Sequence, residues 1–417
     1  MKIAVLVEKF PTLSETFILN QITGLIDLGH DVDIYPVYKG GYLNAHHDVQ
    51  RYDLLEHTYH KRLPSIKSWR NLQIVWLLVS RLWRRPKVLA MLWSVWTTNR
   101  EALRLKMLPL CWSRFRSHTY DIVHCHFGPI GNLGAVLKAL GATRRPVVVT
   151  FHGYDIRLGE NRGGRIYLPV REFCDCVLSV SPYNRRFLES WGFAPEKIVD
   201  HPVGVDMHRF RPGPPRSEAV DTRILTVARL VDIKGPDLGL RAIAELRRRL
   251  APARLSYFIV GEGPDYTDLL NLAERLDLLD IVHFYKAMEQ EQVAAIMKTC
   301  DIYMLPSRAE ALPVSVIEAA ACGLPVVATD VGSVEEIVIH DRSGYVVPAG
   351  DLESMVDRLE HLCRNPRKRR SMGHCGQEHV EARNNIEVLN RRLEQIFRVL
   401  SEGDHANGGV SWSRSAS

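Results

Sequence analysis

Three stretches in the second half of the chain hold residues whose types and spacing suit a phosphate and a sugar. Arg229 and, five residues on, Lys234-Gly235 follow the apolar run Ile224–Ala228. Two cations on one strand-end loop can neutralise a diphosphate that lacks a metal, although a solvated loop reads the same way. Gly261-Glu262-Gly263-Pro264 follows the next apolar run, so Gly261 and Gly263 either let backbone approach a ligand or form a plain turn. The stretch from Pro306 to Thr329 says more. Pro313 suits the first position of a helix running to about Cys322, with Gly323 as its C-cap. Glu310 then precedes the helix, and Glu318 lies one to two turns inside it among Val316, Ile317, Ala319, Ala320 and Ala321. The first turn, at Leu312, Pro313 and Val314, is expected to face an anionic group with the helix dipole behind it. A carboxylate in so apolar a helix needs a partner, and a ribose diol offers two donors. A solvent-facing Glu318 is the bland alternative.

The elements around these residues alternate in type. Short apolar strands are expected at Ile3–Val7, Val32–Tyr35, Ile122–His124, Val147–Phe151 and Cys176–Val180, with helical spacing between them. Ser14 is placed as N-cap of the first helix, with Glu15 in its first turn and Gly29 at its end. Pro and Gly interrupt residues 201–217, which read as a linker. The rhythm restarts with strands at Ile224–Ala228, Tyr257–Val260, Val282–Phe284, Ile302–Leu305 and Pro325–Ala328. The fold class is therefore α/β, as two doubly wound, Rossmann-like domains. The expected division is residues 1–201 for the first domain and 202–384 for the second. A helix at 385–402, able to cross back to the first domain, and a disordered tail at 403–417 complete it.

The 417 residues carry 54 Lys+Arg and 48 Asp+Glu, a net +6 that conceals an uneven distribution. Residues 61–117 hold 13 Lys/Arg and one acid, Glu101, or +12, so the remainder is −6. The same segment holds six of the eight tryptophans: Trp69, Trp76, Trp83, Trp93, Trp96 and Trp112. Trp69, Leu72, Trp76, Val79 and Trp83 recur at helical spacing beside Arg81, Arg84, Arg85 and Lys87, a pattern of interfacial membrane helices. An inserted helical pair packing its Trp into the domain is the structural alternative. Nucleic acid is not indicated, because no reader motif accompanies the charge.

Eight cysteines show no framework spacing and read as buried, reduced thiols. Cys174-Asp-Cys176 and His124-Cys-His126 lack a second ligand pair at zinc-like spacing, and Asp31-Val-Asp33 reads as strand flanks, so no metal site is expected. The N-terminal apolar run is too short for a signal peptide, and no run approaches a membrane span. The expected location is cytoplasmic, peripheral on the inner face of the membrane.

Glu310–Glu318 resembles the paired-glutamate E-x7-E motif of the retaining, nucleotide-sugar-dependent glycosyltransferases of family 4. The wider order agrees: Val227-Ala-Arg229-Leu with Lys234-Gly235, Val260-Gly-Glu-Gly-Pro264, Asp301-Ile-Tyr-Met-Leu-Pro-Ser307 and Gly323-Leu-Pro-Val-Val-Ala-Thr-Asp330. Asp121-Ile-Val-His-Cys-His126, Thr150-Phe-His152-Gly-Tyr-Asp155 and Ser179-Val-Ser181 resemble the family more loosely. Phe10-Pro-Thr-Leu-Ser-Glu-Thr-Phe17 is similar to a subgroup of exopolysaccharide and colanic-acid-type biosynthesis.

The resemblance implies a GT-B fold, two Rossmann-like domains facing a central cleft. It implies that Arg229 and Lys234 hold the donor diphosphate and stabilise charge on the leaving nucleotide, that Glu310 positions the donor sugar, and that Glu318 binds the ribose. His152 is implied to face the reacting centre, with Ser14, Glu15, His126 and Asp155 on the acceptor side. It also implies retention of configuration, no metal or other cofactor, a UDP-hexose donor and a lipid-linked saccharide acceptor. A soluble transferase or synthase acting on a small sugar phosphate, and a catalytically silent glycan or nucleotide binder, are the rival readings. A dehydrogenase is disfavoured because no G-x-G-x-x-G follows the first strand. Two positions depart from the family: Ala311 stands where Gly is usual after the first Glu, and Lys286 stands where Gly is usual near the base.

Overall fold

The computed structural model describes residues 1–12, 15–40, 47–59, 74, 76, 79–80, 86–99, 103–104, 107–214, 221–251 and 254–403. Ser14, most of the basic segment and the tail from 404 lie outside the described residues. The chain divides into two compact units: Met1–Pro202 with Glu387–Ser417, and Val203–Ile386.

The first unit is built on a six-stranded, all-parallel sheet: β1 (Lys2–Phe10), β2 (Asp31–Lys39), β3 (Ile122–His126), β4 (Val147–Phe151), β5 (Cys176–Ser179) and β6 (Ile198–Asp200). Their order is β2-β1-β3-β4-β5-β6. Strands 3 to 5 are buried along their whole length, as expected when helices cover both faces. The helices that matter below are α1 (Thr16–Asp27), α2 (Pro86–Asn99), α3 (Gly128–Leu140) and α4 (Gly153–Arg162).

The second sheet comprises β7 (Thr222–Val227), β8 (Leu255–Val260), β9 (Val282–Tyr285), β10 (Ile302–Leu305), β11 (Val326–Thr329) and β12 (Gly344–Val347). It runs β12-β11-β10-β7-β8-β9, the dinucleotide-fold order with its reversal between β7 and β10. Helices α5 (Pro236–Leu250) and α6 (Val314–Ala321) follow β7 and β10. The last helix, α7 (Ile386–Gly403), returns to the first unit, where Leu393, Ile396 and Phe397 pack on the same core as Ile3, Val5 and Ile122.

Several sequence expectations shift on this frame. The first helix begins at Thr16 with Glu15, not Ser14, at its N-cap and no side-chain cap. Pro313 is the N-cap of α6 and not its first residue; Cys322 is the C-cap, and Gly323 takes the left-handed φ of +75° just beyond it. Residues 203–214 are more than a linker: Val205 pairs with Asn385, and Phe210 is buried in the core of the second unit. The short strands β6 and β12 were not anticipated, because three or four residues leave too little periodicity to detect.

Candidate active site

In an open doubly wound sheet, ligands bind at the carboxyl ends of the strands where the order reverses. In the second unit that point lies between β7 and β10. The loop after β7 carries Arg229 and Lys234, and the loop after β10 carries Ser307 to Glu310. Lys234 ends a short 3-10 turn, Asp232–Lys234, and donates from Nζ to both Glu310 oxygens at 2.6 Å. Ser307 Oγ donates to Glu310 Oε1 at 2.8 Å. Arg229 is exposed and makes no ion pair with any described residue.

Glu318 is 8% exposed on α6, so the solvent-facing alternative does not hold. Burial pushes its carboxyl up to about 8, opposed by a hydrogen bond from Gln290 and the nearby Arg209 guanidinium. Arg209 in turn donates to Gln290 Oε1 and pairs with Glu291 at 3.0 Å. Buried acids survive only with such partners. Leu312 and Val314 are half-buried against the core, and Pro313 is buried.

The glycines after β8 are required by the backbone beside them. A Cβ on Gly261 (φ +152°) would come within 1.8 Å of the Ala228 carbonyl, and one on Gly263 within 2.0 Å of the Leu230 carbonyl. Both therefore let this loop press against the backbone on either side of Arg229, and Leu230 N donates to Glu262 O at 2.9 Å. Ala311 is not among the residues with positive φ, so its methyl group costs no backbone strain there. Lys286 is exposed in the loop after β9.

The switch point of the first unit lies between β1 and β3, and its chemistry differs. His126 ends β3 and His152 follows β4; both are buried, with His126 Nδ1 3.2 Å from His152 Nε2. His124 Nε2 meets Thr150 Oγ1 at 2.8 Å. Burial holds His124 and His126 well below the usual imidazole range and takes His152 and His201 down to about 3. All four are neutral at pH 7. Asp155 fixes this end of the sheet: one oxygen accepts from Gly128 N at 2.9 Å, the other from His152 N at 2.8 Å. Burial pushes its carboxyl up to about 8 against those two donors. The His152 ring lies 4.6 Å from Phe17 and 4.8 Å from Phe127.

Glu15 lines a small recess with Lys9, Phe10, Pro11, Thr12, Ile18, Leu19 and Val49. Burial, and secondarily the nearby Glu8 charge, raise its carboxyl to about 7. Glu8 itself is forked onto Arg104 at 3.1 and 2.7 Å. Neither that pair nor the roles of Gln290 and Arg209 beside Glu318 is visible in the residue pattern, and Ser307 stands there only as the end of a matching stretch.

Among the described residues, Asp31, Asp33 and His57 are the one group close enough to share a metal ion. Lys2 Nζ lies 3.5 Å from Asp31 and 3.6 Å from Asp33, so an ammonium already faces these carboxylates. The cysteines are free and six are buried, with no disulfide among the described residues.

In the basic segment, α2 buries Leu92 and Val95 in the first core yet leaves Trp93 69% and Trp96 46% exposed. Trp76 is 65% exposed, whereas Trp112 packs against the core. Trp69, Leu72, Trp83, Arg81, Arg84 and Arg85 lie outside the described residues, as does the Lys87 side chain. No described helix is long and apolar enough to cross a membrane.

Comparison with known proteins agrees with this layout. The family described as glycosyl transferases group 1 matches residues 214–379, and the glycosyltransferase family 4 model matches residues 14–209. The Escherichia coli K12 protein WcaL, named as a colanic acid biosynthesis glycosyltransferase, is 31% identical over 413 residues, covering 96% of this chain and all of that one. A GDP-mannose-dependent alpha-(1-6)-phosphatidylinositol monomannoside mannosyltransferase of Mycolicibacterium smegmatis is 32% identical over 278 residues, 62% of this chain and 71% of that one. Among solved structures, Anabaena HepE in complex with UDP-glucose superposes with a TM-score of 0.72 at 18% identity, covering 96% of this chain and all of that one. With two Rossmann-like units, two family models matched in sequence order and a full-length relative above 30% identity, the chain belongs to the family 4 glycosyltransferases and has the GT-B fold.

Proposed function

We propose that this glycosyltransferase moves a hexose from a nucleotide sugar, UDP-hexose in our reading, to a lipid-linked oligosaccharide during synthesis of an exopolysaccharide. Anomeric configuration is retained and no metal is needed. The observation that carries the reading is the set of Arg229, Lys234, Glu310 and Glu318 around one sheet switch point. Arg229 and Lys234 bind the diphosphate and take up the charge that grows on it as the glycosidic bond breaks. Preorganised cations of this kind are often the largest single contribution to catalysis. Glu310 orients the donor sugar, and Glu318 accepts from the ribose hydroxyls. His152, neutral and caged by Phe17 and Phe127, acts on the acceptor half of the reaction together with His126, Asp155 and Glu15.

The exposed Trp76, Trp93 and Trp96, in a segment of charge +12, support a peripheral station on the cytoplasmic face of an anionic membrane, where a lipid-linked acceptor resides. WcaL and the mycobacterial mannosyltransferase, by their names, serve exopolysaccharide and lipid-headgroup glycosylation. The test is a thermal-shift screen of UDP- and GDP-sugars followed by transfer of labelled sugar to membrane lipid extracts. One UDP-hexose should raise the Tm and label the lipid fraction. Label appearing only on a water-soluble sugar phosphate would replace the lipid-linked acceptor with a small one.

A further inference from the structure

The Lys234 ammonium, placed to meet the donor diphosphate, is already engaged. It donates to both Glu310 oxygens at 2.6 Å, and the two side chains are only 19% and 6% exposed. Glu310 is held from behind, since fully buried Ser307 donates to Oε1 at 2.8 Å and Thr329 Oγ1 donates to the Ser307 carbonyl. The backbone that carries Lys234 is held beside Glu310 as well, because its loop is stapled to the loop after β10. Arg308 N donates to Ile233 O at 2.9 Å, and the Arg308 guanidinium forks onto Asp237 at 2.8 and 2.7 Å. Gly235, at φ +59°, lies so near that a Cβ would sit 2.0 Å from the Pro306 carbonyl.

A nucleoside diphosphate thus reaches a Lys234 whose charge is already met by a carboxylate braced from behind by Ser307. Arg229, exposed and without an ion pair to any described residue, is not restrained in this way. We infer that Glu310 is a charge brake on Lys234, which weakens the hold of the site on the nucleoside diphosphate and lets this product depart after sugar transfer. The inference rests on the reading that Lys234 binds the diphosphate. A full negative charge within a few ångströms of the phosphates, in a partly shielded site, changes affinity by about tenfold. Such a brake matters because product release limits turnover in many enzymes.

Binding of UDP and of GDP to the full chain, measured by calorimetry at low and high salt, tests this. Glu310→Gln is expected to tighten whichever diphosphate binds by about tenfold at low salt, and less at high salt, while turnover falls. Glu310→Asp, which keeps the charge but draws it back from Lys234, should tighten binding far less than Glu310→Gln. The gain should vanish when Lys234→Met is added. Ser307→Ala, which loosens Glu310 without removing a charge, should tighten binding by about two- to threefold; it keeps the test open if Glu310→Gln fails to fold by circular dichroism. Unchanged or weaker binding by both Glu310→Gln and Ser307→Ala, alongside weaker binding by Lys234→Met, would overturn the brake and leave the donor site intact. If Lys234→Met alone leaves affinity unchanged, Lys234 is no diphosphate ligand and the brake falls with it.

Discussion

The loops after β1 and β3 in the first unit leave their sheet at a switch point, as do the loops after β7 and β10 in the second, yet the two ends are furnished in opposite ways. The second unit gathers charge: Arg229, Lys234, Glu310 and Glu318, with Arg209 and Arg308 behind them. The first unit gathers buried neutral rings, His124, His126, His152 and His201, with His152 against Phe17 and Phe127 and His124 against Phe397. Buried charges need partners, whereas a neutral imidazole is buried at far lower cost. The same topology thus carries a charged strand-end cluster in one unit and a neutral, aromatic one in the other, the contrast expected under the proposed division between donor nucleotide and acceptor sugar. The tryptophans divide the same way, since all eight fall in the first unit.

Acid should separate the two units most strongly. A histidine whose folded-state pKa lies below its unfolded value stabilises the fold above pH 6.5, and that stability is lost as pH falls toward the folded value. His30, His124, His126, His152 and His201 all shift in this direction. Asp155 and Glu15, raised to about 8 and 7, act in the opposite sense and offset about two protons. The first unit should therefore lose stability as pH falls from 6 to 4.5. In the second unit Glu318, raised to about 8 by burial, acts in the opposite sense and favours the folded state as pH falls. Because every tryptophan is in the first unit, its fluorescence follows that unit alone, while circular dichroism follows both. At pH 5 the fluorescence transition should precede the dichroism transition in urea. Coincident transitions at pH 7 and pH 5 would remove the asymmetry.

Nucleotide binding should depend on the second unit's buried carboxylate. A hydrogen bond to a charged group contributes about 1.5–3 kcal/mol, so Glu318→Ala should weaken nucleoside diphosphate binding roughly tenfold to a hundredfold in calorimetry. The pH dependence carries a sign. Below pH 8 the free protein holds Glu318 protonated, so a ribose that prefers the carboxylate must expel a proton. Affinity should rise from pH 6.5 to pH 8 with proton release visible across buffers of different ionisation enthalpy, and Glu318→Gln should abolish both. Binding without proton release would mean that Glu318 meets the nucleotide as a neutral acid or not at all.

Much of this was legible in the residues, and the rest failed for identifiable reasons. Alternating strands and helices gave the fold class, and an apolar helix containing one Glu correctly foretold that Glu318 is buried. Cap positions moved by a residue because Pro313 serves equally as N-cap or first helical residue, and Ser14 and Glu15 compete at the start of α1. Gly261 and Gly263 were identified as points of close approach, but only the β7–β8 pairing shows that they approach backbone. The partners that tune the site were invisible. Lys234 and Glu310 lie 76 residues apart, and Arg104 and Glu8 lie 96 apart, so only the strand order brings them together. Periodicity has no access to such pairs.

The smallest expected effect concerns the tryptophans that the two units do not share. On α2, Leu92 and Val95 face the core while Trp93 and Trp96, three residues apart, face outward. A helix that needed only to fold would gain nothing by exposing two indoles, and their removal leaves its buried face untouched. Trp93→Ser with Trp96→Ser should therefore preserve Tm and nucleotide binding while weakening flotation on vesicles containing anionic phospholipid by about fivefold to tenfold. Trp112→Ser, which strips a side chain packed on the core, should do the reverse, lowering Tm with flotation of the folded fraction unchanged. Neutral vesicles should bind both variants and wild type weakly, because the +12 segment then has no surface charge to meet. If the outward pair can be removed without loss of flotation, the exposed indoles do not mark a membrane face, and the contrast between the units narrows to their switch points.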